Sequence, residues 1–310
     1  MGRRRGAAPI PKKIRMSRAQ RTPSGAPMRN PRKRDASMAM PEPVVLERTA
    51  PLPASPELIT MTGVAKTYET AGAAVRALDG VDLSIREGEF VSVVGPSGCG
   101  KSTLLRMLAG LDVCEEGALC LRGRPVTGPS PTVGVVFQAA NLLPWLTVRE
   151  NVRLPLRVGG RHAAAPERVS ALLAMAGLDG FGEKYPYQLS GGMQQRVGIC
   201  RALARDPSIL LMDEPFGALD ALTRERMNGE LQRIWQVSGK TVMLITHSIS
   251  EAIFLADRIA VMSARPGRVL RVLPVPIPRP RSFDTIVSDT DYPALAREIR
   301  GLLNAEGGIE

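Results

Sequence analysis

The stretch Phe90–Thr103, FVSVVGPSGCGKST, decides how this chain folds. FVSVV is a short, almost wholly apolar run, the pattern of a strand buried on both faces. A glycine-rich turn follows it at once, and then Leu104, Met107, Leu108 and Leu111, whose spacings of three and four predict an amphipathic helix. Between strand and helix, Gly95, Gly100, Lys101 and Ser102 match G-x-x-x-x-G-K-[ST]. Glycines let backbone N–H groups wrap phosphate oxygens, and the helix N-terminus adds the positive end of its dipole. The loop Gly95, Pro96, Ser97, Gly98, Cys99, Gly100, Lys101, Ser102 and Thr103 is therefore expected to hold a nucleotide's phosphates. Lys101 is expected at the β- and γ-phosphates, and the Ser102 hydroxyl on Mg2+.

Working outward, four more apolar runs repeat the buried-strand signature: VGVVF (Val133–Phe137), ILLM (Ile209–Met212), TVMLI (Thr241–Ile245) and RIAVM (Arg258–Met262). Helical stretches separate them, so the class is α/β around a largely parallel sheet. Ahead of the phosphate loop, LITMTGVAKTY from Leu58 and VDLSIREGEF from Val81 alternate in polarity and predict an antiparallel β layer. Residues 139–205 contain no convincing strand and predict an inserted helical subdomain, while residues 268–310 read as a short C-terminal extension. No internal repeat is present.

The formal net charge of +11 is unevenly placed: residues 1–56 carry 13 Lys/Arg against 3 Asp/Glu, the remainder 28 against 27. The basic segment is rich in Pro, Arg and Ser and poor in apolar residues, so it is expected to be a disordered tail before a nearly neutral body over 57–310. A basic arm for anionic lipid or nucleic acid is one reading of it. An over-long start, with Met38 or Met40 the true beginning, is the preferred one, because a Pro-broken tail cannot form a basic amphipathic helix. Arg3–Arg5 lead into no apolar segment, which argues against a secretory signal, and no run of 18 apolar residues predicts a membrane span. Cys99, Cys114, Cys120 and Cys200 show no C-x-x-C spacing and read as reduced thiols.

Phosphate chemistry needs acids on a neighbouring strand. ILLMDEP supplies Asp213 at a strand end, expected to hold Mg2+, and Glu214, expected to orient and polarise the attacking water. Each could instead cap the turn before Pro215. His247, closing the strand of LITHS, reads on position alone equally as a packing residue and as a γ-phosphate contact. Gln138 follows VGVVF and could sense both the Mg2+ site and whatever docks on the helical segment. Tyr68 could stack on adenine or be a surface aromatic. LSGGMQQR (Leu189–Arg196) has no acid, base or metal ligand, only a hydroxyl and a Gly-Gly pair at the mouth of a helix.

In this order, the phosphate loop, Gln138, LSGGMQQR, ILLMDEP, GALD (Gly217–Asp220) and ITHS resemble the ATP-binding subunits of ABC transporters from about Leu58 to Gly267. The resemblance implies a RecA-like P-loop core, ATP and Mg2+ as ligands, and a head-to-tail homodimer enclosing two ATP molecules. It makes Tyr68 the adenine-stacking residue, Gln138 an Mg2+ contact and His247 a γ-phosphate contact. Ser190, Gly191 and Gly192 become an anion site for the nucleotide on the other subunit's P-loop. The chain departs from the commoner pattern at Ser248, where Asp usually follows the His, and at Ala218, where Ser is frequent.

NLLPWLTVRENVRLPL (Asn141–Leu156) and EAIFLADRIAVMSARPGRV (Glu251–Val269) resemble, more narrowly, importers of nitrate, sulfonate, taurine and bicarbonate, a group with riboflavin- and pyrimidine-precursor relatives. That resemblance implies a peripheral subunit on the cytoplasmic side of the cell membrane. Two permease subunits would dock on the Gln138 loop and helical subdomain, and an extracytoplasmic solute-binding protein would act indirectly. An ABC-type ATPase working on nucleic acid or ribosomes is disfavoured, since the chain has one P-loop and no extended heptads, and no specific nucleic acid is expected. An exporter half would carry spanning helices of its own.

Overall fold

The computed structural model describes residues 55–70, 72–158, 165–217 and 219–305, all within one unit spanning Leu46–Glu310. The expectations for the basic tail (residues 1–54 of it) and for Ala218 fall outside the described residues.

Two long strands, β1 (Glu57–Thr70) and β2 (Ala73–Arg86), pair antiparallel as their alternating polarity predicts. After β3 (Phe90–Val94) and α1 (Lys101–Leu108), β4 (Glu116–Leu121) and β5 (Arg124–Pro125) complete a four-stranded layer in the order β2-β1-β4-β5. The chain continues through β6 (Val133–Val136), α2 (Val148–Val158), α3 (Ala165–Met175) and α4 (Gly191–Leu203). It then runs through β7 (Ile209–Asp213), α5 (Ala221–Ser238), β8 (Thr241–Ile245), α6 (Ile249–Leu255) and β9 (Arg258–Met262). β10 (Val269–Pro274), α7 (Phe283–Ile286) and α8 (Asp291–Ala305) end the described chain. The second sheet has the order β10-β9-β3-β8-β7-β6, with β9, β3, β8, β7 and β6 parallel and β10 antiparallel at the edge.

Strand alternation sorts the apolar runs onto the two faces of this sheet. Val91, Val93, Ile209, Leu211, Met243, Ile245, Ala260 and Met262 pack toward α1 and the antiparallel layer. Phe90, Leu210, Met212, Val242, Leu244, Ile259 and Val261 pack toward α5, α6 and α8. Phe90 is fully buried with its ring edge-on to Trp235, centroids 5.6 Å apart, a burial that stabilises by about 1.5–3 kcal/mol.

Two expectations need correction. Leu111 is not part of the helix: Gly110, at φ 71, ends α1 after Leu108, and Leu111 is exposed. The strand VGVVF stops at Val136, so Phe137 and Gln138 belong to the following loop. In the C-terminal extension, β10 lengthens the sheet and Leu273, Ile277, Ile286, Leu295, Ile299 and Leu303 enter the core.

Residues 139–158 and 165–205 hold α2, α3, α4 and a 3-10 turn at Pro186–Gln188, with no strand among the described residues. No helix among the described residues is long and apolar enough to cross a membrane.

Candidate functional site

Parallel strands point their carboxyl ends the same way, so every loop leaving them opens on one edge, the position where α/β sheets bind ligands. Here the phosphate loop follows β3, and β8 lies directly beside it with Val93 opposite Ile245. β7 is next, with Asp213 opposite Ile245, and β6 lies beyond it. Lys101, His247, Asp213, Glu214 and Gln138, separated by up to 146 positions, thereby come to one edge.

Gly100 turns the loop into α1 with φ 100, and a Cβ there would lie 2.7 Å from the Ala77 carbonyl oxygen. Only glycine meets both conditions. No side chain caps the N-terminus of α1, whereas α4, α5 and α6 are capped by Ser190, Asp220 and Ser248. The first-turn N–H groups of α1 thus have no side-chain acceptor, which suits an anion. Lys101 is buried, and its Nζ donates to the Gly95 and Pro96 carbonyls at 2.8 Å each. The ammonium is folded over the curl of the loop. Pro96 is half-buried, Ser97 and Gly98 are exposed, and Cys99 is buried against the lysine, its Sγ 3.9 Å from Nζ.

Ser102 Oγ donates to Asp213 Oδ1 at 3.2 Å. Burial pushes the Asp213 carboxyl up, and the Ser102 hydrogen bond opposes that. A half-buried carboxylate facing a hydroxyl is a hard-oxygen pair whose own charge calls for a cation, so the two fit Mg2+. No group of three or more His, Cys, Asp or Glu that could hold a metal exists among the described residues.

Glu214 adopts φ 43, the left-handed region that a glutamate occupies at a cost of about 1–3 kcal/mol. Its N–H bonds to the Ile245 carbonyl at 2.9 Å and its carbonyl accepts from Gly217 N at 3.1 Å, which hold the turn. The carboxylate is thereby brought 3.3 Å from His247 Nδ1. Beside them, a Cβ on Gly217 would lie 3.6 Å from both Gln138 Nε2 and His247 Cε1, so Glu214, His247 and Gln138 meet around that glycine.

Tyr68 is half-buried in β1 with its hydroxyl on Asp112 at 2.6 Å and Thr103 at 3.4 Å, and Lys66 Nζ lies 5.3 Å from its ring centroid. The ring therefore sits against the first turn of α1. Ser190 accepts the Met193 N–H at 3.3 Å as the cap of α4, with Ser190 and Gly191 exposed and Gly192 buried against Thr223 and Met227. No hydrogen bond joins these three to Gly95–Thr103 among the described residues. The helix they open is tied to the Gln138 loop instead. Gln195 Nε2 donates to the Phe137 carbonyl at 3.1 Å, and Arg201 to the Ala140 and Asn141 carbonyls at 2.6 and 2.8 Å.

Sequence reasoning missed two supports of the phosphate loop. Arg265 Nε donates to the Gly98 carbonyl at 3.0 Å, and Gly267 packs directly on Cys99. Their signal was the Arg-Pro-Gly run after β9, whose target is remote in sequence.

The chain is similar to known proteins in sequence and in fold. A family model described as ABC transporter matches residues 78–217. An uncharacterized ABC transporter ATP-binding protein of Methanocaldococcus jannaschii is 49% identical over 74% of this chain and 86% of its own length. The aliphatic sulfonates import ATP-binding protein SsuB of Bacillus cereus is 44% identical over 72% of this chain and 88% of its own, and that of Bacillus licheniformis 46% over 69% and 83%. A solved ATP-binding cassette, a dimer in a post-hydrolysis state with ADP and Pi, superposes with a TM-score of 0.62 at 39% identity. It spans 70% of this chain and 99% of that one.

Proposed function

This chain belongs to the ABC transporter ATP-binding family, and from that membership we propose that it is the ATP-hydrolysing subunit of an importer. It would couple ATP binding and hydrolysis to uptake of a small solute, an anion of the nitrate, sulfonate, taurine or bicarbonate kind, through separate permease subunits. The enzyme is an ATPase that uses ATP and Mg2+. The observation that carries the hydrolytic reading is the Glu214–His247 pair, 3.3 Å apart, His247 just after β8, which adjoins the phosphate-loop strand, and Glu214 just after β7, the next strand over.

In this scheme Lys101 exchanges the Gly95 and Pro96 carbonyls for β- and γ-phosphate oxygens, and the uncapped start of α1 supplies backbone N–H groups. Ser102 and Asp213, with Gln138, would hold Mg2+, which neutralises charge developing on the phosphates. Glu214 accepts a proton from the attacking water, and its left-handed backbone fixes the carboxylate's direction. His247 contacts the γ-phosphate and orients Glu214. Tyr68 offers its ring to adenine.

The dimer follows from the same reading. The exposed mouth of α4 at Ser190 and Gly191 is an anion site without an anion, suited to the γ-phosphate on a second copy. Permease docking is assigned to the loop after Gln138. Asn151, fully buried, accepts from Leu143 N at 2.8 Å and donates to the Leu143, Leu146 and Thr147 carbonyls, a clamp on the loop whose Trp145 is 70% exposed. An apolar side chain so presented suits a helix from a membrane partner, and the subunit would sit on the cytoplasmic face. The sulfonate importers among its relatives support the solute class.

Replacing Glu214 with Gln tests the chemistry. ATP binding should persist while hydrolysis falls by at least ~10²-fold, the scale of losing a positioned base. ATP-dependent dimers should then accumulate on size exclusion. Near-normal turnover would remove Glu214 from this role.

A further inference from the structure

Behind His247 lies a buried polar cluster that the scheme above does not use. Thr246 from the end of β8, Asn228 from α5 and Glu251 from α6 are 1%, 1% and 4% exposed. The Thr246 hydroxyl donates to Glu251 Oε2 and accepts the Ser248 N–H at 3.0 Å. Ser248 Oγ in turn accepts the Glu251 N–H at 3.3 Å. Both neighbours of His247 are thus tied to each other and to one glutamate, while the imidazole itself is half-exposed and free to face Glu214.

A carboxyl group in such a place needs explaining, because a buried acid without a full set of partners is costly. Two buried acceptors, Glu251 Oε1 and Asn228 Oδ1, have no donor among the described residues. The Asn228 side chain lies within hydrogen-bonding reach of the same carboxyl, and burial pushes that carboxyl's pKa up. One turn earlier on the same face of α5, Arg224 donates to the carbonyls of Phe216, Gly217 and Leu219 at 3.3, 3.5 and 2.8 Å. The cluster thus holds the turn at His247, while Arg224 on the same helix as Asn228 holds the segment after Glu214.

We propose that Glu251, acting through Thr246, is a positioning residue that fixes the turn aiming His247 at Glu214 and the phosphate-facing edge of the sheet. The inference rests on the assignment of His247 to the γ-phosphate. Glu251 touches no substrate and transfers no proton to it. Its part is to hold Thr246 as a donor on one side and Asn228 on the other.

The test measures kcat, KM and ATP-analogue affinity on the full chain for Thr246→Val, Thr246→Ser, Glu251→Ala and Glu251→Gln, with His247→Ala alongside. Thr246→Val keeps the shape and removes the hydroxyl. Thr246→Val and Glu251→Ala should lower kcat by about 10-fold or more with KM and affinity within about 3-fold, a split that general loosening of the fold would not give. Thr246→Ser and Glu251→Gln should stay within about 3-fold of the parent, since each retains the hydrogen bond from the residue-246 hydroxyl to the residue-251 side-chain oxygen. Adding Thr246→Val to His247→Ala should cost no more than about a further 2-fold in single-turnover rate, because a residue acting through His247 then has nothing to act through.

Parent-like kcat in Thr246→Val overturns the proposal, as does an equal loss of kcat and affinity or a failure of the Ser and Gln variants to rescue. If Glu251→Ala does not fold, the two Thr246 variants decide the question. Full activity in His247→Ala overturns the site assignment as well. A loss there with none in Thr246→Val overturns this inference alone.

Discussion

Gly267→Ala should weaken ATP binding although the residue touches no part of the phosphate loop's consensus. Gly267 N donates to the Ala77 carbonyl at 2.9 Å and its own carbonyl accepts from Asp79 N at 3.0 Å, which pins the loop after β9 in place. A Cβ added there would lie 2.0 Å from the Cys99 carbonyl oxygen and 2.9 Å from Met262 Cε. Met262 ends in a flexible methyl and can swing aside. The Cys99 carbonyl is backbone, and bringing that contact to a tolerable 3.0 Å requires the two loops to part by about 1 Å. Overpacking of this kind costs about 1–3 kcal/mol. The β9 loop is held at both ends of its peptide, so most of the displacement should fall on Cys99, within the curl that Lys101 spans. Taken out of nucleotide affinity, that energy corresponds to a loss of about 5- to 150-fold. Titration with a fluorescent ATP analogue in Mg2+ measures it, and a melting curve checks the fold, with a fall of about 2–4 °C expected per kcal/mol lost in stability. Affinity within about 2-fold of the parent at unchanged Tm would refute the argument that this contact shapes the phosphate loop.

Mixed dimers carrying Lys101→Ala in one subunit and Ser190→Arg in the other should occlude one nucleotide, while either homodimer occludes none. Two-tag purification followed by nucleotide counting checks this, and a mixed dimer that traps no ATP would refute a site shared between subunits. Trp145→Ala should leave the ATPase activity of the isolated subunit within about 2-fold while reducing co-purification with its permease, since truncating an exposed apolar anchor acts on binding rather than on the fold. Arg281→Met should destabilise the chain by about 3 kcal/mol or more, read as a fall in Tm of ~6 °C or more, because buried carbonyls lose their donor. Arg281 is buried and donates to the carbonyls of Ile253, Phe254 and Ala256 at the end of α6, and of Ile277. A melting point unchanged within 1 °C, about the scale of a surface substitution, would refute that count.

The amino-acid sequence by itself determined the parts of this protein whose physics is local. The five parallel strands are legible because a strand covered on both faces must be apolar throughout. The phosphate loop is legible because the turn, the glycine and the lysine act within nine residues of one another. The stop of α1 was equally local, and Gly110 carries the signal that the apolar spacing of Leu111 obscured.

Tertiary structure decided the rest. Nothing near Gln138 in the chain says that it comes to Gly217, as His247 does, because that meeting depends on β6, β7 and β8 being neighbours in register. Arg265 reaches Gly98 across 167 positions, and Gly267 is glycine only because Cys99 occupies the space a side chain would need. Glu251 is an acid in the first turn of α6, a position usually open to solvent, yet it is buried where α5 closes over it and Thr246 meets it from the end of β8. Periodicity reports which face of an element is covered. What covers it, and which polar group then needs a partner, is set by the packing of distant segments, and there the chain's order along its length carries no information.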